Sequence, residues 1–161
     1  MELETTFVMI KPDGLQRRLL GEIISRLERK GLYLAAMKTV AVTDAQAAQH
    51  YAVHADKPFY TQLVNFITAG PAVAMVWRGP EAIHLVRTMV GATHGREAAP
   101  GTIRGDYGMS QSCNLIHASD SPESVASETA IYFTPEEILD YTPTLHPWHY
   151  DVKERTGDYP C

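Results

Sequence analysis

Asn114-Leu115-Ile116-His117-Ala118-Ser119-Asp120 is the stretch around which this chain is organised. Its apolar pair Leu115-Ile116 indicates a buried strand. Ser121-Pro122-Glu123, directly after it, is typical of a helix start, with an N-cap residue, a proline in the first helical position and a carboxylate in the first turn. That helix places Glu128 in its second turn, where the carboxylate can hold one ring nitrogen of His117 and leave the other with a free lone pair. The stretch therefore predicts a histidine nucleophile, against the alternative of an ordinary core or surface histidine.

Hydrophobic periodicity divides the rest of the chain into alternating strands and helices. Strands are predicted over residues 6–10, 32–42 and 72–77, and helices over 15–30, 44–53, 59–68 and 81–90. This order predicts an α+β fold, a ferredoxin-like β-α-β-β-α-β sandwich with a four-stranded antiparallel sheet, helices on one face and an inserted helical hairpin. We expect one domain over residues 1–161, with an irregular tail from about 142 to 161.

Charge and composition exclude several classes of partner. The net charge of -5 means that the chain has no excess of positive charge with which to bind nucleic acid. No apolar run approaches the roughly 20 residues of a membrane span, and the acidic start Met1-Glu2-Leu3-Glu4 is unlike a signal peptide. We therefore expect a cytoplasmic protein without a membrane or nucleic-acid partner. Cys113 and Cys161 are too few for a disulfide framework, and Cys113 is expected to be buried or half-buried.

Cationic and small polar residues recur where they can converge on one anion. Lys11 ends the first strand, Arg87 lies off the apolar stripe of its helix, and Arg104 stands between glycines in a long loop over residues 91–112. Taken singly, Lys11 and Arg87 also fit solvated surface charges. Neutral donors are available from Tyr51, Thr93 and Asn114. Together with a histidine nucleophile the set predicts two-step phosphoryl transfer, and the absence of a glycine-rich Lys-Ser/Thr loop excludes a P-loop enzyme.

Five ordered blocks make the chain similar to the nucleoside diphosphate kinases over nearly its whole length. They cover residues 6–14, 50–51 with 57–59, 70–77, 100–106 and 114–120. The resemblance implies a Mg-dependent phosphotransferase that moves the terminal phosphate of a nucleoside triphosphate to a nucleoside diphosphate by a ping-pong mechanism, through a phosphohistidine on His117. It also implies a homo-oligomer, a hexamer or else a tetramer or dimer.

The resemblance further implies a role for each residue of the site. His117 corresponds to the nucleophile, supported by Glu128, Ser119 and Lys11. The nucleotide contacts correspond to Lys11, Tyr51, Phe59, Leu63, Arg87, Thr93, Arg104 and Asn114. Phe59 and Leu63 correspond to a clamp that grips the base by its faces, although most aromatics of this segment also fit core packing. Mg is carried by the phosphates, so no protein metal ligand is expected.

The chain departs from the family's usual sequence at several positions. Ala118 replaces a glycine and is expected to be accommodated; Cys113 replaces an arginine, and His94-Gly95-Arg96-Glu97 differs in the long loop. A nucleotide-binding protein that has lost turnover is therefore the alternative. The enzyme is favoured because Lys11, Arg104, Asn114, His117 and Glu128 are all present. In the tail, His146 and His149 lack a third ligand and predict no metal site, and Trp148 is expected to pack on a neighbouring surface.

Overall fold

The central feature of the fold is one antiparallel sheet with the strand order β2-β3-β1-β4. The structure, a computed structural model, describes residues 3–141, 143, 144 and 146–149. The strands are β1 Glu4–Ile10, β2 Tyr33–Ala41, β3 Pro71–Gly79 and β4 Ile116–Ala118. Each hydrogen-bonded pair is antiparallel, and β1 lies between β3 and β4. The predicted α+β fold with a four-stranded antiparallel sheet is confirmed.

Helices connect the strands in the predicted order. They are α1 Pro12–Gln16, α2 Leu20–Arg29, α3 Asp44–His50, α4 Tyr60–Thr68, α5 Ala82–Val90, α6 Ile103–Tyr107, α7 Pro122–Tyr132 and α8 His146–His149, with single 3-10 turns at Ala52–His54, Gly95–Glu97 and Pro135–Glu137. Two predicted helix starts are confirmed by the hydrogen bonds of their N-cap residues. Thr43 forms a capping box with Gln46, and Ser121 accepts a hydrogen bond from the Ser124 backbone N–H at the start of α7.

Helices cover both faces of the sheet, so the expectation of helices on one face was wrong. Val8 and Ile10 of β1 face a core with α2 and α5, whereas Phe7 and Met9 face a second core with α3, α4 and α7. The reason lies in the strand sequences. β1 and β3 are apolar at nearly every central position and not only at alternate ones, so both of their faces must be buried.

The predicted helix over residues 15–30 is interrupted, which corrects the first helix boundary. Pro12 begins a short α1 before the periodic residues start, and Arg18 then adopts a left-handed conformation with φ of 60° before α2 begins. Gly14 explains why α1 lies so close to the fourth strand. A β-carbon at this position would lie 2.7 Å from the Leu115 carbonyl oxygen.

Leu115 is not part of a strand, which corrects the predicted strand start. Its φ is +74°, and β4 begins at Ile116. Both backbone groups of Leu115 are held by residues that follow β1: its N–H donates to Asp13 Oδ2 at 3.0 Å, and its carbonyl accepts from the Lys11 N–H at 2.8 Å. His117 consequently lies in the middle of β4, paired with Met9, instead of beyond the strand.

The loop over residues 91–112 is ordered by regular structure that its sequence did not indicate. It contains a 3-10 turn and α6, whose N-cap Thr102 accepts from the Gly105 N–H. Gly95 and Gly108 come into backbone contact, and a β-carbon on Gly95 would lie 2.3 Å from the Gly108 carbonyl carbon. The loop therefore closes on itself and presents Arg104 to the sheet.

Two further observations complete the fold. Within the described residues, no helix combines the length and hydrophobicity needed to cross a bilayer. The tail predicted over about 142–161 falls mostly outside the described residues, as does the side chain of His146. Trp148 is 86% exposed on the single chain.

Candidate active site

A cleft of about 590 Å³ gathers nearly all the predicted site residues. It opens where the carboxyl end of β1, the long loop and β4 meet the helical hairpin α3–α4. The predicted residues lining it are Lys11, Tyr51, Phe59, Leu63, Arg87, Thr93, Arg104, Asn114, His117 and Glu128. Ser119 lies behind this surface. The lining also includes His50, His54, Gln62, Asp120 and Ser124, for which no role was predicted.

His117 is held by a carboxylate, as predicted. Its Nε2 lies 2.8 Å from Glu128 Oε2, on the second turn of α7. The same carboxylate oxygen accepts a hydrogen bond from Ser119 Oγ, and both Glu128 and Ser119 are largely buried. A carboxylate partner assigns the proton to Nε2, so Nδ1 carries the lone pair. Strand β4 and helix α7 thus hold the His117 ring through one nitrogen and leave the other nitrogen unprotonated.

His50, the last residue of α3, packs directly against His117. The two rings meet edge to face with centroids 4.5 Å apart, and His50 is 93% buried. Burial, the neighbouring His117 and the charge of Lys11 lower the pKa of His50 to about 2. The ring is therefore neutral at every working pH. Its Nδ1 lies 3.3 Å from the Tyr132 hydroxyl, and Nε2 has no hydrogen-bond partner among the described residues.

His50 was missed because its contacts are not local. It forms part of the His50-Tyr51 block, but Tyr132 and His117 come from distant segments of the chain. The only sequence signal is its position beside Tyr51 at the end of a predicted helix.

Lys11 and Asn114 form the floor of the cleft. Lys11 Nζ donates to Asn114 Oδ1 at 2.8 Å, and the Asn114 amide donates to the carbonyls of Thr93 and Gln111. Burial, with the nearby charge of Arg104, lowers the pKa of Lys11 to about 8. Asn114 therefore links the segment after β1 to the long loop and holds a buried ammonium group in the cleft that His117 also lines.

Arg104 is both a cation of the cleft and a structural clamp. Its guanidinium donates to the backbone carbonyls of Asn114, Gly91 and Ile116, at 3.2, 3.3 and 2.6 Å. Three of its five N–H groups are thus occupied, and two remain for an anion. Burial and the charge of Arg87 lower its pKa to about 10. Arg87 itself is exposed and donates to the Ala118 carbonyl at 3.4 Å.

The opposite wall of the cleft comes from the helical hairpin. Tyr51 is buried, its hydroxyl finds no hydrogen-bond partner in the described part of the chain, and burial raises its pKa. Phe59 is half exposed, with the His54 ring 5.7 Å away, and Leu63 follows one turn later. This wall offers the Tyr51 hydroxyl, unpaired among the described residues, and the apolar surface of Phe59 and Leu63 to the cleft.

Two departures from the family's usual sequence have clear structural outcomes. Ala118 lies in extended backbone opposite Val8, is 99% buried and needs no left-handed conformation, so its methyl group is accommodated. Cys113 is exposed, so the expectation of a buried or half-buried thiol was wrong. The reason is that Cys113 lies on the turn before Asn114, where its backbone N–H is hydrogen-bonded to Ser110 and its side chain faces outward.

Metal-ligating groups also meet in this cleft. One ring nitrogen from each of His50 and His117 and a carboxylate oxygen of Glu128 all lie within 4.8 Å of one another. Asp120 and Glu128 are the acidic residues of the lining, and Asp120 accepts a hydrogen bond from Ser124 Oγ at 2.7 Å.

Comparisons with known proteins agree on one family. A family profile described as nucleoside diphosphate kinase matches residues 4–138. The chain is 52% identical to a nucleoside diphosphate kinase of Archaeoglobus fulgidus, over 94% of this chain and all of the relative. It is also 52% identical to one of Carboxydothermus hydrogenoformans, over 92% of this chain and all of that relative. Among solved structures, the Halobacterium salinarum nucleoside diphosphate kinase in complex with CDP superimposes with a TM-score of 0.91 at 47% identity, covering 93% of this chain and all of that one.

Proposed function

Because the chain belongs to the nucleoside diphosphate kinase family, we propose that the cleft around His117 is the site at which it performs that family's reaction. The protein is a kinase that transfers the terminal phosphate of a nucleoside triphosphate to a nucleoside diphosphate by a ping-pong mechanism through a phosphohistidine. The observation that carries the assignment to His117 is its Nε2 contact with Glu128, which leaves Nδ1 with a lone pair in a cationic cleft.

In the first half-reaction, Nδ1 of His117 attacks the terminal phosphorus. The new N–P bond forms as the P–O bond to the nucleoside diphosphate breaks. The ring becomes more positive during attack, and the Glu128 carboxylate stabilises that charge through the Nε2 proton. Ser119 Oγ donates a hydrogen bond to Glu128 Oε2, the oxygen that also contacts His117, and this bond keeps the carboxylate in place. In the second half-reaction a new nucleoside diphosphate attacks the phosphohistidine and reverses these steps.

The transferring phosphate is stabilised by the charged and polar groups around it. We assign this role to Lys11, Arg87 and Arg104, with hydroxyl or amide donors from Tyr51, Thr93 and Asn114. The unpaired Tyr51 hydroxyl and the two spare N–H groups of Arg104 support the assignment, because buried donors without partners require an acceptor. Such preorganised donors are the main contribution a protein makes to phosphoryl transfer.

The nucleotide base is assigned to the apolar wall of the hairpin. Phe59 is half exposed at the cleft entrance and Leu63 lies beside it, so together they can hold a planar ring by its faces. Contacts to the faces of a ring discriminate little between bases. This arrangement supports a broad range of nucleoside substrates.

Mg²⁺ is proposed as the cofactor, carried on the substrate phosphates. The donors of the cleft fit this arrangement, because the lining is rich in cations and its carboxylates are Asp120 and Glu128, the latter engaged by His117. Mg²⁺ commonly binds through substrate phosphates and one or two carboxylates, and Asp120, which lines the cleft, would be the carboxylate available to the waters of the bound ion. When bound, the ion neutralises phosphate charge, and this chain's residues orient the phosphates around it.

Three further features belong to the same proposal. We propose that the chain acts as one domain in the cytoplasm and assembles into a homo-oligomer. The exposed side chains of Met37, Leu139 and Tyr141 near the β2 edge support an assembly, because large apolar residues are exposed there together.

The function is tested by labelling the protein with a γ-labelled nucleoside triphosphate and Mg²⁺. We expect acid-labile label on the wild type, released to a different nucleoside diphosphate in a chase. His117→Ala should take up no label, whereas His84→Ala, which changes an exposed histidine of α5, should label normally. Nucleotide binding without label on the wild type would instead favour a binding protein that has lost turnover.

A further inference from the structure

The cluster of His50, His117 and Glu128 has the chemistry of a transition-metal site. Two imidazole nitrogens and one carboxylate oxygen lie within 4.8 Å of one another, and they come from α3, β4 and α7. Two histidines and one glutamate are a donor set that zinc enzymes use, with a fourth position left open. Here the fourth position would face the cleft.

An independent observation comes from the partners of His50. The residue is 93% buried, its Nδ1 is near Tyr132, and its Nε2 has no hydrogen-bond partner within the described chain. A buried ring nitrogen without a partner is unfavourable, because it has lost its contact with water and gained nothing in return. A metal ion is one partner that would satisfy it.

The geometry requires only small adjustments. Ligand bonds of about 2.0–2.2 Å in a tetrahedral site place donor atoms about 3.4 Å apart, so the widest pair must approach by at most about 1.5 Å. The contact between His117 Nε2 and Glu128 Oε2 measures 2.8 Å, so an ion would replace this hydrogen bond and open the pair by about 0.6 Å. The His50 ring packs against Tyr51 and Phe7, so it must turn within this packing to reach the ion.

We propose that the protein binds one Zn²⁺-like divalent ion through His50, His117 and Glu128, and that this ion blocks phosphotransfer by changing the tautomer of His117. With the ion on Nε2, the ring proton moves to Nδ1. The nitrogen that attacks phosphorus then carries a hydrogen and has no lone pair to donate. The blocking step rests on the proposed role of His117, whereas ion binding does not.

Ion selectivity follows from the donor types. Imidazole suits zinc-like ions, whereas Mg²⁺ prefers oxygen ligands and substrate phosphates. The charge of Lys11 opposes any cation at this position, so the site should bind zinc less tightly than a dedicated structural site. The two ions therefore occupy different places and should not compete directly for the protein.

The test begins with calorimetric titration of nucleotide-free protein by Zn²⁺ in excess Mg²⁺. We expect one ion per chain, and binding at least about tenfold weaker in His50→Phe, which keeps a ring but removes both nitrogens. His84→Gln should bind like the wild type. The double variant His146→Gln with His149→Gln tests whether the two histidines of the tail bind the ion instead. Binding of ADP without zinc verifies that each variant is folded. If His50→Phe does not fold, His50→Gln replaces it.

The second part of the test follows the His117 ring itself. Nitrogen NMR should show its proton moving from Nε2 to Nδ1 on zinc binding, and single-turnover labelling at buffered free zinc should lose phosphohistidine in the wild type but less so in His50→Phe. Absence of a stoichiometric ion, binding unchanged by His50→Phe, or binding removed only by the tail variants would overturn the proposal. So would normal labelling of the zinc-loaded protein. A wild type that takes up no label even without zinc would refute the proposed function and leave the binding result intact.

Discussion

Replacing Glu128 with glutamine tests how much of the nucleophile's reactivity depends on charge. Glutamine preserves the length of the side chain and can still accept from His117 and Ser119 through its amide oxygen. The contact that changes is the 2.8 Å hydrogen bond between Nε2 and the carboxylate, which becomes a bond to a neutral acceptor. As the ring becomes positive during attack, the variant loses the charge-assisted part of that interaction.

The expected magnitude follows from ordinary hydrogen-bond energies. Hydrogen bonds to charged groups contribute about 1.5–3 kcal/mol and neutral ones about 0.5–1.5 kcal/mol, so the transition state should lose about 1–2 kcal/mol. At 1.4 kcal/mol for each factor of ten, Glu128→Gln should form phosphohistidine about 5- to 30-fold more slowly. Nucleotide binding should change much less. Glu128 contacts His117 and Ser119, whereas the phosphates of the nucleotide are assigned to the cationic side chains of the cleft.

Rapid-quench single-turnover labelling with saturating nucleoside triphosphate measures this step directly. The matched control is Glu123→Gln, which removes an exposed carboxylate from the first turn of the same helix. The control should label at the wild-type rate and lose only the small stability that an acidic residue gives a helix start. A wild-type labelling rate in Glu128→Gln would refute the view that the carboxylate stabilises charge on the ring.

Three other predictions concern binding and stability. Lys11 is charged below its pKa of about 8, so ADP affinity measured by calorimetry should fall as the pH rises through 8; a flat profile would contradict this. Asp13→Ala leaves the Leu115 N–H unpaired and should lower the free energy of unfolding in urea by about 1–3 kcal/mol; an unchanged value would show that the contact is unimportant. Phe59→Ala should weaken ADP binding by about 1–3 kcal/mol but leave pyrophosphate, which has no base, unaffected; equal losses for both would argue against stacking.

Local signals in the sequence were enough to predict most elements and the contact between His117 and Glu128. The starts of α3 and α7 and the apolar run in β3 depend on neighbouring residues, and all three lie where they were predicted. The spacing between His117 and Glu128 is also local, because a strand followed at once by a capped helix brings position 128 back over position 117. The resemblance supplied the roles of the remaining site residues.

Features that depend on distant contacts could not be predicted in this way. Arg18 reverses the chain in a left-handed conformation where the apolar periodicity continues without a break, and Leu115 adopts positive φ although its side chain suits a strand. At Leu115, hydrogen bonds from Lys11 and Asp13 override local preference, whereas the backbone bonds around Arg18 are local ones to Gly14 and Leu15 that end the short α1. The position of His50 against His117 is of the same kind, since nothing near residue 50 in sequence specifies what its ring will meet.

Strand β4, which carries the proposed nucleophile His117, explains why residues proposed to bind phosphate also stabilise the fold. β4 has only three residues, so its backbone ladder with β1 is short. Its start is held instead by Lys11 and Asp13 on the Leu115 backbone, and by Arg104 on the carbonyls of Asn114 and Ile116. A substitution such as Arg104→Lys therefore removes carbonyl contacts that position His117, together with the proposed contact to phosphate. Such a variant should lose unfolding free energy and labelling rate together, whereas Arg87→Lys, with one weak carbonyl contact, should affect phosphate binding with little change in stability.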